Sequence, residues 1–436
     1  MISEQLQSER FALRILFTPN GTYGDIHPYL GIAERLKARG HEVLFLCNPF
    51  FAELIEGCGF GFVALRTREE LKEYWDHPDM WSRLNYYKIS LDYCGLRPMR
   101  EMYQAIAEHY VPGETVVGGP AWSFGARIAQ ERLNVPLATI HLEPFWIRSL
   151  YRTAVMPPPM VTGDWVSKTA KRMQFWIADR FFTDRFLARP LNAFRAELGL
   201  APASRFLKSW WHSPQRVIGL FPEWFFPPQP DWPSQTRLTG FPIWDQASVR
   251  EMPTEVAEFL DAGSPPIAFT PGSGNSQAEA FFAAAAYACQ ATGHRGLLLT
   301  SYPETVSKNL PDGVRQFSYV PFSQLLPRAA ALVHHAGTGT AALCMRAGLP
   351  QIVMPMAYDQ PDFADCLVRL GVAKLLKPRH FTGPRLAKMI DQLFSSDQIA
   401  AGCRAAQEKM RGADPIEQIC DLLIETASGE SSNGSS

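Results

Sequence analysis

Apolar runs of strand length alternate with stretches of helix length, and this rhythm appears twice along the 436 residues. The first series comprises 13–17, 42–46, 114–117 and 137–141; the second, restarting after Ser264, comprises 267–270, 296–300, 331–334 and 351–354. Strands joined by helical crossovers must run parallel, and a parallel sheet needs helices on both faces to bury it. The pattern therefore predicts an α/β protein with two Rossmann-like, doubly wound lobes and a cleft between them. At about 200 residues per lobe the length fits.

The lobes divide as 1–235 and 236–427. Residues 226–235 carry four prolines and mark the approach to the linker. Residues 151–205, rich in Phe, Trp, Lys and Arg, break the rhythm and read as a helical insertion on the first lobe. The tail 428–436 is too polar to bury and reads as disordered. A formal charge of −1 gives no electrostatic reason to expect nucleic acid. Eight cysteines lacking any Cys-x-x-Cys pair suggest neither a zinc site nor a disulfide framework. The polar, acidic start and the lack of an apolar run near ~20 residues point to a cytoplasmic protein.

Chemistry concentrates at the strand ends. After 331–334 comes His335-Ala336-Gly337-Thr338-Gly339-Thr340, a glycine turn opening a helix. Its backbone N–H groups and the Thr338 and Thr340 hydroxyls suit a diphosphate at the positive helix end, and His335 can add a ring N–H. Gly272 and Ser273 form a second such turn after 267–270. Tyr319 and Val320 are placed to stack on a base and read its edge, and Asp359 with Gln360 to hold sugar hydroxyls. Gly337, Gly339 and Ala342 also satisfy a dinucleotide fingerprint with Asp359 about 20 residues on, although it comes late in its lobe for a nicotinamide enzyme. In the first lobe, Asp25 and His27 stand in the turn before a helix expected from Pro28, where either can serve as a base, while capping the helix would by itself explain an aspartate there.

These landmarks, Gly24-Asp25-Ile26-His27-Pro28, Pro271-Gly272-Ser273, His335 to Thr340 and Asp359-Gln360, resemble the inverting two-lobe (GT-B) glycosyltransferases of the small-molecule family. A closer likeness, in Trp211-His212-Ser213-Pro214-Gln215, Leu220 to Phe225, Thr239-Gly240-Phe241-Pro242 and Arg369-Leu370-Gly371, is to the rhamnosyltransferases of rhamnolipid biosurfactant synthesis. The resemblance implies Asp25 as general base with His27 as second choice, and inversion at the sugar carbon. It also implies dTDP-rhamnose as donor and a hydroxyalkanoyl fatty acid as acceptor. The donor loop is closer to the general family, which leaves a UDP-hexose such as glucose, used on a hydrophobic small molecule, as the alternative. A donor-binding subunit that needs a partner, and a two-lobe sugar-nucleotide epimerase, are the other readings.

No cofactor or metal is called for, and no Asp-x-Asp pair occurs. Phe145, Trp146, Trp165 and Trp176 are the candidate acceptor-binding residues, with Met156, Met160, Phe175, Phe181 and Phe182 nearby. Interleaved Lys168, Lys171, Arg172, Arg180 and Arg185 suit an acyl carboxylate, a peripheral membrane contact at the inner membrane, or simply a solvated helix face.

Overall fold

The computed structural model describes residues 12–429 apart from 81, 83, 84, 157, 158, 247–250 and 276. Its first sheet has seven strands: β1 (Arg14–Phe17), β2 (Glu42–Cys47), β3 (Gly61–Ala64), β4 (Thr115–Gly119), β5 (Leu137–His141), β6 (Arg216–Gly219) and β7 (Thr236–Leu238). They lie in the order β3-β2-β1-β4-β5-β6-β7. The second sheet holds β8 (Ile267–Thr270), β9 (Gly296–Leu299), β10 (Val314–Phe317), β11 (Ala331–His334), β12 (Gln351–Val353) and β13 (Ala373–Leu375), in the order β10-β9-β8-β11-β12-β13. Every ladder in both sheets is parallel.

Each sheet changes winding direction beside its first strand, at β1/β4 and at β8/β11. Loops leaving the carboxyl ends of such strands diverge and open a crevice, the usual ligand position in open α/β sheets. The turn around Asp25 leaves β1, and the two glycine turns leave β8 and β11. Strand order thus sends Asp25 and the two glycine turns to the crevices, whereas Tyr319 and Val320 follow the edge strand β10 and Asp359 and Gln360 follow β12.

Two boundaries differ from the expected division. Thr236–Leu238 is the last strand of the first sheet, so that lobe runs past residue 235. The closing helix, Pro415–Ser428, returns to the first lobe: Ile419, Cys420 and Leu423 are fully buried in the same cluster as Ile15, Phe17 and Ile32. Arg35 anchors it through Asp414 at 2.8 Å and Glu417 at 2.6 Å, and Arg39 through Glu417 and Asp421. An amphipathic helix announces that it needs a partner, but its own sequence does not say which core supplies one. Leu423→Ala is expected to cost about 2–5 kcal/mol in urea unfolding, the range for a leucine emptied from a closed core. A loss below about 0.5 kcal/mol would mean the helix adds nothing to that core.

Ser428 ends this helix and Gly429 caps it in left-handed backbone; the rest of the expected tail, 430–436, lies outside the described residues. The proline-rich run sits between β6 and β7, where it forms an aromatic wedge. Phe226 stacks on Trp232 at 5.7 Å, and Phe225 meets Phe363 of the second lobe at 4.7 Å. Within 151–205, helices span Lys168–Ala178 and Asp184–Glu197, joined by a π-helical turn. All eight cysteines are free, and all but Cys58 are buried. No helix among the described residues is long and apolar enough to cross a membrane.

Candidate active site

A cleft of about 1090 Å³ runs between the lobes. Asp25, His27, Phe145 and Trp146 line it from the first lobe; Gly272, Ser273, Tyr319, Val320, His335, Gly337, Thr338, Gly339, Thr340, Asp359 and Gln360 line it from the second. Trp165 and Trp176 do not. They stand on the outside of the insertion, 82% and 59% exposed, while Met156, Met160, Ile177 and Phe182 reach the cleft from that region. Aromatic composition marked the right segment there, but the face each ring takes depends on how the insertion docks.

The helix carrying Asp25 begins at Tyr23, so Pro28 lies inside it and Asp25 falls in its first turn. Asp25 Oδ2 accepts the Thr22 backbone N–H at 2.7 Å and the Thr22 hydroxyl at 3.0 Å. Capping and facing the cleft are therefore the same placement, because one carboxylate oxygen closes the turn. Gly21 makes room for it: a Cβ there would sit 2.3 Å from Oδ2, on backbone with φ +140. His27, two residues on, lines the cleft beside Trp244 and Gln246. Its Nε2 lies 3.0 Å from Gln246 Nε2 and its ring 5.2 Å from Trp244, and burial lowers its pKa to about 4, leaving it neutral.

Opposite Asp25 stands a group that sequence reading missed, Glu143, two residues past β5. Its Oε2 accepts the Trp146 indole N–H at 3.1 Å, and its Oε1 accepts the Thr338 hydroxyl at 3.2 Å, linking the lobes. No motif surrounds it; its one sequence signal is an acid just after a fully buried strand. Burial, then the charges of Asp359 and Asp25, push Glu143 well above the usual carboxyl range. Asp359 is pushed up to about 7 by burial and then by Asp25 and Asp362, and burial raises Asp25 against its Thr22 hydrogen bonds. All three carboxyls retain some contact with the cleft, so they are enclosed without being sealed. Among the described residues no three His, Cys, Asp or Glu side chains converge to hold a metal ion.

The folded protein thus holds these protons to higher pH than the unfolded chain, whose carboxyls titrate near about 4. Wherever the folded state binds more protons, stability falls as pH rises. The cluster's contribution is greatest below the unfolded pKa and is lost as pH climbs through Asp359's value of about 7. Glu143→Gln keeps a carbonyl for Thr338 and removes one charge, so it is expected to flatten the decline of Tm with pH in ligand-free protein. If wild type and variant trace parallel Tm curves, the three groups are not coupled.

In the second lobe, helix Thr338–Ala347 starts after Gly337 with no side chain capping it, so its first N–H groups face the cleft. A Cβ on Gly339 would meet nothing within 4 Å, which locates open space where an anion can approach. The left-handed residue of the turn is Ala336, at φ +71, and Gly337 is extended. Gly337 is needed for a different reason: a Cβ there would lie 2.5 Å from His335 Nε2. Gly272, at φ +99, crowds the other side of that ring, with a built Cβ 2.9 Å from Cε1. His335 is therefore gripped between the two glycine turns, kept neutral by burial at about 4, with Nδ1 unpartnered.

Tyr319 is held at the cleft by its hydroxyl, which donates to the Asp245 carbonyl at 2.5 Å. Gln360 has less freedom than expected. Its Oε1 accepts the Met356 N–H at 2.9 Å and the Ala357 N–H at 3.4 Å, leaving its amide N–H groups for a ligand. Tyr358, just before Asp359, takes φ +61, a second left-handed non-glycine position beside the site.

Two facing doubly wound lobes, with an uncapped helix start on one wall and a buried carboxylate on the other, define a GT-B glycosyltransferase. The chain is 30% identical over 439 residues to O-mycaminosyltylonolide 6-deoxyallosyltransferase of Streptomyces fradiae, covering 95% of this chain and 98% of the relative. It belongs to that glycosyltransferase family, and residues 299–425 match the erythromycin biosynthesis protein CIII-like, C-terminal domain. Glycosyltransferase GtfE of Amycolatopsis orientalis is 25% identical over 83% of this chain and 85% of its own. Among solved structures, the glycotransferase of kitacinnamycin superposes with a TM-score of 0.72 at 20% identity, covering 95% of this chain and 99% of that one. The spinosyn rhamnosyltransferase SpnG complexed with thymidine diphosphate gives 0.66 at 18% identity, covering 94% and 100%. These matches place the chain at the level of the family, not of the rhamnolipid enzymes.

Proposed function

We propose that the protein moves a deoxyhexose, with dTDP-rhamnose as the favoured donor, to a hydroxyl of a large apolar acceptor such as a hydroxylated fatty acyl chain. The observation that carries this reading is one cleft bringing a buried carboxylate of the first lobe, Asp25, against the uncapped helix start of the second. The diphosphate lies at Gly337–Thr340 and Ser273, with the base beside Tyr319 and Val320 and the sugar toward Asp359 and Gln360. Charge that develops on the departing diphosphate is met by N–H groups, hydroxyls and the neutral His335, without a metal ion.

Asp25 takes the acceptor proton late, as the new carbon–oxygen bond forms and the hydroxyl becomes acidic. Its raised pKa makes it a stronger base than an ordinary carboxylate. Attack opposite the diphosphate inverts the anomeric carbon. The acceptor occupies the apolar chamber of the first lobe, where Trp146 packs edge-on to Trp122 at 4.9 Å and to Phe145 at 4.8 Å. Thymidine diphosphate in a structural neighbour supports the thymidine donor, although the fold alone is shared at that identity.

The test is transfer with dTDP-rhamnose and UDP-glucose against hydroxyacyl chains and polycyclic or macrocyclic alcohols, with calorimetry on dTDP and UDP. Tighter dTDP binding and glycosylated acceptor are expected. Preference for UDP would move the donor to a hexose, and an epimerised sugar formed without acceptor would replace the reading.

A further inference from the structure

Nine of the twelve most exposed large apolar side chains among the described residues fall between Tyr151 and Phe182. That concentration, in a chain whose remaining apolar residues are mostly covered, marks one face of the insertion. On helix Lys168–Ala178 the exposed positions Arg172, Met173, Trp176 and Ile177 recur at helical spacing, and the π-helical turn after it adds Arg180, Phe181 and Phe182. Trp165 flanks them. Between residues 165 and 189 six lysines and arginines stand against two aspartates, in a chain of net charge −1.

The nearby acids are already engaged. Asp179 binds Arg148 at 2.7 Å, Asp164 lies 3.3 Å from Arg369, and Asp184 accepts the Phe206 N–H at 3.1 Å. Lys168, Arg172, Arg180, Arg185 and Arg189 are all exposed. Lys168 sits over the Tyr151 ring at 3.3 Å and Arg180 over Phe181 at 5.8 Å, cations laid on aromatic faces at the same surface.

We propose that this face docks on an anionic lipid bilayer, with the indole and phenyl rings among the headgroups and the arginines on lipid phosphates. Rings with amphipathic edges and long cationic side chains on one helical face match that interface in both polarity and sign of charge. The patch is also continuous with the cleft: Ile177 and Phe182 are exposed on it and line the chamber wall. An acidic protein would meet the same charges, but covering Ile177 and Phe182 would close that entrance. A fluid bilayer leaves it open, so an apolar acceptor passes from lipid to chamber without crossing water. Only this delivery role rests on the proposed transferase reading; the docking itself does not.

The experiment is flotation of the full chain with phosphatidylcholine vesicles, with and without phosphatidylglycerol, at low and high salt. Wild type is expected to float with the anionic vesicles at low salt and to be released by high salt, binding the neutral vesicles several-fold less. Trp176→Ser/Phe181→Ser and Arg172→Gln/Arg180→Gln should each lower the bound fraction several-fold with circular dichroism and Tm unchanged. Wild type left unbound by anionic vesicles, or both variants binding like wild type, overturns the docking. A dimer in sedimentation that either variant returns to monomer also overturns it, assigning the patch to a second copy. Since no donor or acceptor is present, failure here leaves the transferase reading standing.

Discussion

Asp25→Asn is expected to lower kcat by about 10²–10⁴-fold, the usual contribution of a positioned general base, while donor KM stays near its wild-type value. Asparagine keeps a carbonyl oxygen for the Thr22 N–H and hydroxyl, so the first turn of the helix survives, and what disappears is a proton acceptor. Wild-type kcat/KM should rise with pH along a limb set above the ordinary carboxyl range, because burial raises Asp25 and the carboxylate is the active form. The variant should lack that limb. Steady-state rates across pH separate the outcomes: a variant with full turnover and an intact limb removes Asp25 from the reaction and directs attention to His27 or Glu143.

His335→Ala is expected to reduce kcat by about 10²–10³-fold, the scale for deleting one aligned donor to a developing anion. The ring is neutral, so its part is a directed N–H rather than a positive charge. The grip of Gly272 and Gly337 holds that direction without any hydrogen bond to Nδ1 in the ligand-free protein. Alanine leaves space and strains nothing, so the fold is kept. Gly337→Ala tests the same point from outside the ring, since its Cβ would press on Nε2 and rotate the imidazole. Turnover and dTDP affinity should fall in both variants. Wild-type kcat in His335→Ala would reduce the residue to packing.

Much of the second lobe's cleft wall was legible from residue order. A fully buried strand followed by His-Ala-Gly-Thr-Gly-Thr leaves few options for the backbone, and the helix does begin at Thr338. Asp25 was legible as well, both as a candidate base and as a cap; what was not legible is that the helix begins at Tyr23, which puts Asp25 inside its first turn rather than ahead of it. Glu143 was hidden. Apart from Trp146, the groups that act on it, Asp25, Thr338 and Asp359, lie more than a hundred residues away, and an acid followed by Pro144 and Phe145 reads like any strand-end turn. Of the aromatics proposed to meet the acceptor, Phe145 and Trp146 follow β5 directly into the cleft, whereas Trp165 and Trp176 belong to a segment without sheet register to orient it.

Periodicity and turn chemistry decide events within a few residues of backbone, so the chain by itself determined eight of the thirteen described strands, the glycine turns and the two-lobed plan, while the short strands β3, β6, β7, β10 and β13 were not marked by it. Strand order at the winding reversals then carried those turns to the crevices. What only tertiary structure decided is how separate pieces face one another: the last helix completing the first lobe, three carboxyls sharing one enclosed space, and an aromatic face left uncovered. Those outcomes depend on the docking of whole lobes. The free energy of such docking comes from buried area and desolvated charge summed over distant segments, and no local pattern encodes that sum.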